Sequence, residues 1–337
     1  MEGKLELPEG VVLKVEDLVV KFYTYSGVVH AVSKVSFYVK EGETVALVGE
    51  TGCGKSVTTR ALTRLIESPG RIEEGRVLFR RRNGEVVDLL KVDFETLRQI
   101  RGNEIAYIFQ DPTSALDPLY TIGFHIHETI EAHVGKIPKK ETLRRGIELL
   151  RQVLIPSPEV RVKNYPHEMS GGMRQRSVIA ISLSNNPRLL IADEPTTNLD
   201  VTVQAQILDL LEKLQEQYKM GMILITHNLG IVAEVADRVY VMYAGKIVEE
   251  GETEQIFYNP QHPYTKLLLR AVPDPTKKIE KLESIPGVIP SLINPPPGCR
   301  FTDRCPYAMD KCRREEPPLI EVEPGHKATC WLLVKRG

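Results

Sequence analysis

Residues 49–56 read Gly49-Glu50-Thr51-Gly52-Cys53-Gly54-Lys55-Ser56. The apolar run before them, residues 44–48, has the pattern of a buried strand, and a helical pattern runs from residue 55 to about residue 66. Glycines in this strand–loop–helix order let backbone N–H groups form an anion-binding nest at the N-terminus of the helix. The stretch therefore predicts a phosphate-binding loop, with an ordinary glycine turn as the alternative.

Two polar side chains of this loop are expected to bind phosphate and metal. We expect Lys55 to reach the β- and γ-phosphates of ATP and the hydroxyl of Ser56 to ligate Mg²⁺. The predicted nucleotide-binding residues here are Gly49, Glu50, Thr51, Gly52, Cys53, Gly54, Lys55, Ser56 and Val57.

An acidic pair ends a second apolar run, residues 189–192. Asp193 and Glu194 follow this strand-like run, so their carboxylates are expected at the carboxyl edge of a sheet, where α/β folds bind ligands. Asp193 is predicted to hold Mg²⁺, directly or through water, and Glu194 to be the general base for the attacking water. A solvated acidic pair before a proline turn is the alternative.

A second glycine signature reads Met169-Ser170-Gly171-Gly172-Met173-Arg174-Gln175-Arg176. Ser170 is a natural N-cap for a helix over residues 173–184, and free N–H groups at such a terminus favour an anion. Ser170, Gly171 and Gly172 are therefore predicted nucleotide contacts. A plain capped helix start is the alternative.

The chain has 337 residues, a formal net charge of −1, 42% hydrophobic residues and 26% charged residues. This length predicts two domains, or one large domain with an appendage, and the near-neutral charge gives no indication of a nucleic-acid partner. No apolar run approaches the ~20 residues of a membrane-spanning helix, and the start lacks the apolar stretch of a signal peptide. We therefore expect a cytosolic protein that other subunits hold at any membrane it serves.

Strand-like runs alternate with helical patterns through most of the chain. The strand-like runs are residues 11–15, 28–32, 35–39, 44–48, 105–109, 189–192, 222–226 and 239–242. Residues 111–185 look mostly helical, and residues 207–214 carry apolar side chains at the i, i+3, i+4, i+7 spacing of an amphipathic helix. This alternation predicts an α/β fold with a largely parallel sheet covered by helices.

The composition changes around Asn259, where prolines become frequent. We expect an extended linker into a small loop-rich module, with a first domain at residues 1–260 and a Pro/Cys-rich second domain at residues 261–337. Four of the five cysteines lie in that tail: Cys299, Cys305, Cys312 and Cys330. In a cytosolic chain such a cluster favours metal over disulfides, and its gaps are wider than the Cys-x2–4-Cys pairs of zinc sites.

Together these motifs resemble the ATP-binding subunits of ABC transporters. The resemblance implies a P-loop NTPase fold with an antiparallel β subdomain and a helical subdomain at about residues 111–185. It implies catalytic roles for Glu194, for Gln110, which reaches Mg²⁺ and the water, and for His227, which contacts the γ-phosphate.

Further roles follow from the same resemblance. Residues 170–172 are implied to contact ATP held by the other subunit of a head-to-tail dimer, and Asp200 to lie at the dimer seam. Tyr25, or alternatively Tyr23, is expected to stack on adenine. Met173 and Asn198 depart from the usual family residues, but neither departure removes a phosphate or metal ligand.

Longer stretches resemble the dipeptide/oligopeptide permease ATPases in particular: residues 110–118, 196–206, 262–268 and 297–312. This resemblance implies ATP hydrolysis at the cytoplasmic face of the membrane, as a peripheral subunit. The implied partners are a paralogous ATPase subunit, two membrane permease subunits and an extracytoplasmic solute-binding protein. The expected solutes are di- and oligopeptides, with β-glucoside-type oligosaccharides or nickel as alternatives.

The same family resemblance implies that Cys299, Cys305, Cys312 and Cys330 hold a [4Fe–4S] cluster, with zinc or free thiols as alternatives. Basic residues nearby, among them Arg300 and Arg304, are expected to offset the charge of the cluster. A soluble non-transport ABC ATPase is disfavoured, since the chain has neither a coiled-coil insertion nor a second cassette. An intact Glu194 and His227 argue against a non-hydrolytic module.

Overall fold

A computed structural model describes residues 5–197, 199–271 and 285–334, and these residues form two β-sheets surrounded by helices. The strands are β1 Val11–Thr24, β2 Gly27–Lys40, β3 Thr44–Val48, β4 Gly70–Arg80, β5 Val86–Asp88, β6 Ile105–Ile108, β7 Leu189–Asp193, β8 Gly221–Ile225, β9 Arg238–Tyr243, β10 Lys246–Glu252, β11 Leu319–Glu323 and β12 His326–Thr329. The helices are α1 Lys55–Leu62, α2 Phe94–Ile100, α3 Ile122–Val134, α4 Lys139–Gln152, α5 Pro158–Arg161, α6 Gly171–Leu183, α7 Val201–Tyr218, α8 Leu229–Val235, α9 Thr253–Tyr258, α10 Pro263–Arg270 and α11 Asp310–Arg314. Asn198, one of the departures noted above, lies outside the described residues.

The larger sheet has the strand order β11-β12-β10-β9-β3-β8-β7-β6. The pairs from β9 to β6 are parallel, whereas β10, β12 and β11 are added in antiparallel fashion. Every residue of β3, β7 and β8 is buried, as expected for parallel strands covered by helices on both faces. The carboxyl ends of β3, β8, β7 and β6 therefore lie side by side at one edge.

The smaller sheet is antiparallel, with the order β2-β1-β4-β5. Its inner face shares a core with the larger sheet, in which Phe37 packs with Leu47, Leu62 and Ile225. The strand-like runs expected at residues 28–32 and 35–39 are parts of the single strand β2. The pairing of β1 with β2 contains several register shifts, and such bulges interrupt the alternation from which a continuous strand is inferred.

Helices α3 to α6 fill the region predicted to be mostly helical, and they bury a shared core that includes Ile126, Leu150 and Ile179. Residues 111–121 contain turns and no helix, and Thr121 caps α3 by accepting a hydrogen bond from the amide of Phe124. Helix α1 ends at Leu62, about one turn before the predicted end.

Residues 285–334, called the C-terminal segment below, lie directly against the rest of the chain. Strand β12 pairs with β10, so the hairpin of β11 and β12 extends the larger sheet. Phe301 is buried against Tyr243 and Tyr264. The expected boundary at residue 260 falls between α9 and α10, whose Ile256 and Tyr264 share one core cluster. The division into two domains stays a prediction. The pairing of β12 with β10 leaves no compositional signal, so proline and cysteine content could not predict it.

Candidate active site

The predicted phosphate loop connects β3 to α1, and its glycines adopt conformations that only glycine tolerates. Gly49 has φ +144°, and a Cβ there would lie 2.1 Å from the carbonyl oxygen of Met242. Gly54 has φ +108°, and a Cβ there would lie 2.6 Å from the carbonyl oxygen of Ala31. The loop is therefore wedged against neighbouring backbone, which fixes its path at both ends.

Lys55 extends into this loop. Its side chain is buried, and its Nζ donates to the carbonyl oxygens of Gly49 at 2.7 Å and Glu50 at 3.1 Å. The ammonium group thus already occupies the centre of the loop, where an incoming phosphate can replace the carbonyl partners. Cys53 is buried beneath the loop, and burial raises the pKa of its thiol, so it remains a protonated packing residue.

The predicted Mg²⁺ ligands Ser56 and Asp193 meet. The hydroxyl of Ser56, in the first turn of α1, donates to Oδ1 of Asp193 at 2.9 Å. The hydroxyl of Tyr107 donates to the other oxygen, Oδ2, at 3.0 Å. Burial raises the pKa of Asp193, whereas the hydrogen bonds from Ser56 and Tyr107 oppose that rise. The result is a buried carboxylate held by two hydroxyls, and these hard oxygen atoms are of the kind that Mg²⁺ prefers.

The three predicted catalytic side chains also converge. Gln110 follows β6, Glu194 follows β7 and His227 lies just beyond β8, at adjacent strand ends. The amide Nε2 of Gln110 donates to Oε2 of Glu194 at 2.8 Å, and Nδ1 of His227 lies 3.3 Å from Oε1. The hydroxyl of Thr197 also donates to Oε2, at 2.9 Å. Glu194 is therefore oriented by three neighbours at the carboxyl edge of the sheet.

Glu194 has φ +48°, an uncommon conformation for a residue with a side chain. Its amide donates to the carbonyl oxygen of Ile225 at 2.9 Å, which continues the pairing of β7 with β8 by one residue. This bond stabilises the turn that directs the carboxylate toward Gln110 and His227.

The second glycine signature starts α6 as predicted. The Ser170 side chain accepts a hydrogen bond from the amide of Met173, and Asp200 likewise caps α7 by accepting from the amide of Val203. A Cβ on Gly172 would lie 2.9 Å from Val203, so the two helix starts are in close contact. Among the residues that the structure describes, no hydrogen bond joins Ser170, Gly171 or Gly172 to the phosphate loop.

The two candidate adenine-stacking tyrosines differ in setting. Tyr25 lies in the turn between β1 and β2 and is fully exposed. Tyr23 is on β1, donates its hydroxyl to Glu73 at 2.8 Å and lies beneath the guanidinium of Arg71. Which tyrosine stacks on adenine stays a prediction.

The four tail cysteines lie around one pocket with about 320 Å³ of space free of protein atoms, part of it open to solvent. None of them forms a disulfide. Burial raises the pKa of Cys299 to about 11, and the three other thiols add to that rise. In residues 5–197, 199–271 and 285–334, no three His, Cys, Asp or Glu side chains are grouped so as to hold a single metal ion.

Two of the arginines expected to offset the charge of a cluster bind other groups. Arg300 donates to the carbonyl oxygen of Ala244 and to the hydroxyl of Ser33, and Arg304 pairs with Glu50 of the phosphate loop. Their guanidinium groups therefore bind the phosphate loop and the residues next to it.

Several residues that support the site were not predicted from the sequence. Tyr107 was assigned only to a strand, Thr197 only to a motif, and Arg304 only to the cysteine-rich tail. Tyr107 and Arg304 have no local signal, because the sheet and the C-terminal segment bring their partners close. Thr197 lies three residues after Glu194, but that spacing alone does not indicate a hydrogen bond between them. Among the helices of the described residues, none is both long and apolar enough to cross a membrane.

Comparisons with known sequences match two parts of the chain. The family described as ABC transporter matches residues 32–197, and the family described as oligopeptide/dipeptide transporter, C-terminal region, matches residues 248–312. The chain is 49% identical to the dipeptide transport ATP-binding protein DppD of Lactococcus lactis, over 98% of this chain and 93% of that protein. It is 48% identical to the dipeptide transport ATP-binding protein DppD of Escherichia coli, over 94% of this chain and 95% of that protein.

Solved structures agree in fold. A dimeric ATP-binding cassette in a post-hydrolysis state, bound to ADP and Pi, superposes with a TM-score of 0.62 at 26% identity, covering 72% of this chain and 98% of that one. The cbiO1 protein of Clostridium perfringens, part of an ABC transporter complex, superposes with a TM-score of 0.61 at 28% identity, covering 74% and 92% of the two chains.

Proposed function

The chain belongs to the ATP-binding subunits of the dipeptide/oligopeptide ABC transporters, and we propose that it hydrolyses ATP to energise the import of di- and oligopeptides. The observation that carries this proposal is the convergence of Gln110 and His227 on Glu194, beside the hydroxyl-bound Asp193. Relatives at 48–49% identity are named for dipeptide or oligopeptide transport, which favours peptides over sugars or nickel as the solute.

Binding of ATP begins at the phosphate loop. Its backbone N–H groups and the Lys55 ammonium bind the β- and γ-phosphates, and Lys55 exchanges its bonds to the loop carbonyls for bonds to phosphate oxygens. Ser56 and Asp193 would hold Mg²⁺, which neutralises phosphate charge when bound. Tyr107 keeps Asp193 oriented toward Ser56.

Hydrolysis is assigned to Glu194. Its carboxylate accepts the proton of the attacking water, while Gln110 and His227 fix the orientation of the carboxylate and of the water. His227 is largely exposed, so its ring is free to reach the γ-phosphate once ATP is bound. Thr197 donates to Oε2, the same carboxylate oxygen as Gln110, so Oε1 is left for the water when His227 turns to the γ-phosphate.

The site is proposed to be completed by a second, paralogous ATPase subunit in a head-to-tail heterodimer. Ser170 starts α6 with free N–H groups, yet its hydrogen bonds within the described residues do not reach the chain's own loop. An exposed helix N-terminus of this kind suits the γ-phosphate of ATP on the partner subunit. Asp200 caps the neighbouring helix at the same seam.

Two membrane permease subunits are proposed to dock on an apolar surface of the helical region. Amides at Ile122 and Gly123 donate to the carbonyl oxygens of Asn164 and Val162, so residues 119–124 lie beside residues 160–165. Exposed apolar side chains in and next to these two stretches are Leu119, Tyr120, Phe124, Leu154, Val160 and Tyr165. A patch of this kind, adjacent to the segment that follows Gln110, fits a membrane subunit that senses the ATP site. An extracytoplasmic binding protein would deliver the peptide to those subunits, with this chain at their cytoplasmic face.

The four tail cysteines are proposed to hold a [4Fe–4S] cluster. They surround one largely apolar pocket, and their sequence spacings are wider than those of zinc sites, which suits a larger object with four thiolate ligands better than one zinc. Lys311, whose ammonium lies 3.7 Å from the centre of the Trp331 ring, supplies positive charge beside the pocket.

The cluster is tested on protein purified without oxygen. We expect brown protein with broad absorbance near ~400 nm and about four irons per chain, and loss of iron in Cys312→Ser. Cys53→Ser is the matched control, because Cys53 is a buried residue of the phosphate loop and its replacement should leave the iron content unchanged. One zinc per chain without iron would reject the cluster and leave the transport assignment intact.

Transport is tested in vesicles that contain the permease subunits, the partner ATPase and the binding protein. Uptake of a labelled dipeptide should require ATP on the side of this chain and should stop with Glu194→Gln. ATP-dependent uptake of a β-glucoside or of nickel, without uptake of any peptide, would replace the solute and retain the ATPase assignment.

A further inference from the structure

The carboxylate and the backbone amide of Glu50, in the phosphate loop, are both bound by residues from the C-terminal part of the chain. Its carboxylate forms a two-pronged ion pair with Arg304, with Nη1 to Oε2 at 2.6 Å and Nη2 to Oε1 at 2.9 Å. Its backbone amide donates to the hydroxyl of Tyr264 on α10 at 2.9 Å. Two residues more than 200 positions away therefore hold the second residue of the loop.

Arg304 is itself held in place. Its Nε donates to the carbonyl oxygen of Pro286 at 2.9 Å, its guanidinium contacts the hydroxyl of Tyr243, and only 3% of its side chain is exposed. Gly287 has φ +81° and would place a Cβ 3.1 Å from Cγ of Arg304, so the chain passes closely over the arginine stem. A planar guanidinium fixed in this way is preorganised for a carboxylate.

A second arginine of the C-terminal segment supports the other end of the loop. Arg300 donates to the carbonyl oxygen of Ala244 and to the hydroxyl of Ser33 at 2.8 Å. The next amide, that of Gly245, donates to the carbonyl oxygen of Cys53 at 2.7 Å. Arg300 therefore stabilises the turn that binds the loop next to Gly54.

We propose that the C-terminal segment is a clamp that shapes the phosphate loop, with Arg304 as a positioning residue for ATP acting through Glu50. This inference rests on the ATP site proposed above. The loop binds phosphate with backbone N–H groups, whose directions depend on the path of the chain. When Lys55 leaves the carbonyls of Gly49 and Glu50 for phosphate, the loop loses internal bonds, and the clamp preserves its shape.

The test compares binding and turnover of MgATP in four full-length variants. Arg304→Met removes the guanidinium but keeps the apolar stem, Arg304→Lys keeps the charge, and Glu50→Gln removes the partner charge. Tyr264→Phe removes only the hydroxyl that accepts the Glu50 amide. The control is Arg313→Met in the same segment, since Arg313 pairs with Asp303 at 3.1 Å and is 59% exposed.

We expect Arg304→Met to raise the Kd and KM for MgATP about tenfold, with kcat changed less than about twofold, because the loop mainly contributes ground-state binding. Arg304→Lys should recover part of the affinity. The double variant Glu50→Gln/Arg304→Met should bind MgATP at least as tightly as whichever of its two single variants binds MgATP more weakly. Arg313→Met should match the wild type.

Unchanged Kd and KM in both Arg304→Met and Tyr264→Phe would overturn the proposal. If Arg304→Met fails to fold, Tyr264→Phe alone decides, since it leaves the ring packing intact. A wild-type chain that binds no MgATP would instead reject the ATP site itself, so failure of the site and failure of the clamp are distinguishable.

Discussion

Nε2 of His326 lies 2.8 Å from Oε1 of Glu249, and both side chains are completely buried. The pair joins β12 of the C-terminal segment to β10. Glu249 also accepts the backbone amides of Gln261 and His262, at 2.6 Å and 2.9 Å. One buried carboxylate thus connects the sheet, the start of α10 and the C-terminal hairpin.

Removing one member of this pair should destabilise the fold. His326→Ala leaves a buried carboxylate without its imidazole partner, and we expect the free energy of unfolding to fall by about 3 kcal/mol. Lys327→Ala is the control on the same strand, because its partly exposed pair with Glu250 should contribute less than about 1 kcal/mol. Urea denaturation measures both, and equal losses would show that burial of the His326 pair is unimportant.

Acid should loosen the C-terminal segment through His262. Burial lowers the pKa of this histidine to about 4. Its Nδ1 accepts the amide of Tyr264, so protonation also removes the cap of α10. Because the pKa of His262 is depressed in the folded state, the contribution of the neutral ring to stability is complete above the ordinary pKa of about 6.5. That contribution is lost as the pH falls toward 4, which lowers the free energy of unfolding by about 3 kcal/mol.

Burial by itself would raise the pKa of Glu249, but bonds from His326 and from two backbone amides outweigh it and lower that pKa. Protonation of Glu249 at still lower pH therefore also destabilises the C-terminal segment. His262→Asn keeps a capping oxygen without a titrating ring. Thermal unfolding between pH 7.5 and pH 4.5 should be less pH-dependent in this variant, and an unchanged slope would exclude His262 as the cause.

Glu194→Gln should retain MgATP binding but lower turnover by about 100-fold or more, since the amide accepts no proton from water. Gln preserves the length of the side chain and a carbonyl oxygen for the amide of Gln110. The ATPase rate with the partner subunit present is the measurement, with Glu234→Gln on the surface of α8 as control. Near wild-type hydrolysis would remove Glu194 from the mechanism.

Tyr107→Phe should raise the Mg²⁺ concentration that gives half-maximal hydrolysis by about 3-fold to 10-fold, the usual effect of one lost hydrogen bond. The hydroxyl lowers the pKa of Asp193, so its removal raises that pKa. The acidic limb of the rate profile should therefore move to higher pH. Tyr218→Phe, which loses a hydroxyl that donates to Gln152, is the matched control. A shift of equal size in both variants would indicate general destabilisation.

Ser170→Asp should distinguish ATP binding by the chain's own phosphate loop from the proposed contact of the α6 N-terminus with ATP on the partner subunit. Asp keeps the cap of α6 but places negative charge where the γ-phosphate of the partner's ATP is proposed to bind, so turnover should fall about tenfold or more. MgATP binding by the chain's own loop should not change. Ser170→Asn, which caps without charge, is the control. Weaker MgATP binding by a demonstrated monomer of Ser170→Asp would place Ser170 in the same subunit's site.

The sequence by itself determined the chemistry at the strand ends. Gly49, Lys55, Asp193 and Glu194 were predicted because each follows or precedes a buried strand in a local pattern, and local patterns determine which groups emerge at a sheet edge. Parallel strands in the order β3-β8-β7-β6 then necessarily bring those edges together. The lengths of β1 and β2 were underestimated, because bulges interrupt the alternation that marks a strand.

Only the tertiary structure decided what the last part of the chain does. Proline and cysteine content predicted a second, Pro/Cys-rich domain, and that division stays a prediction. The structure shows that the C-terminal segment pairs with the sheet through β12 and binds Glu50 through Arg304, while Tyr264 of α10 binds the Glu50 amide. Tyr107 likewise became a partner of Asp193 only through the placement of β6 next to β7. Such contacts join residues tens to hundreds of positions apart. Their energies depend on burial and on distances that the packed fold sets, and no local spacing in the sequence encodes them.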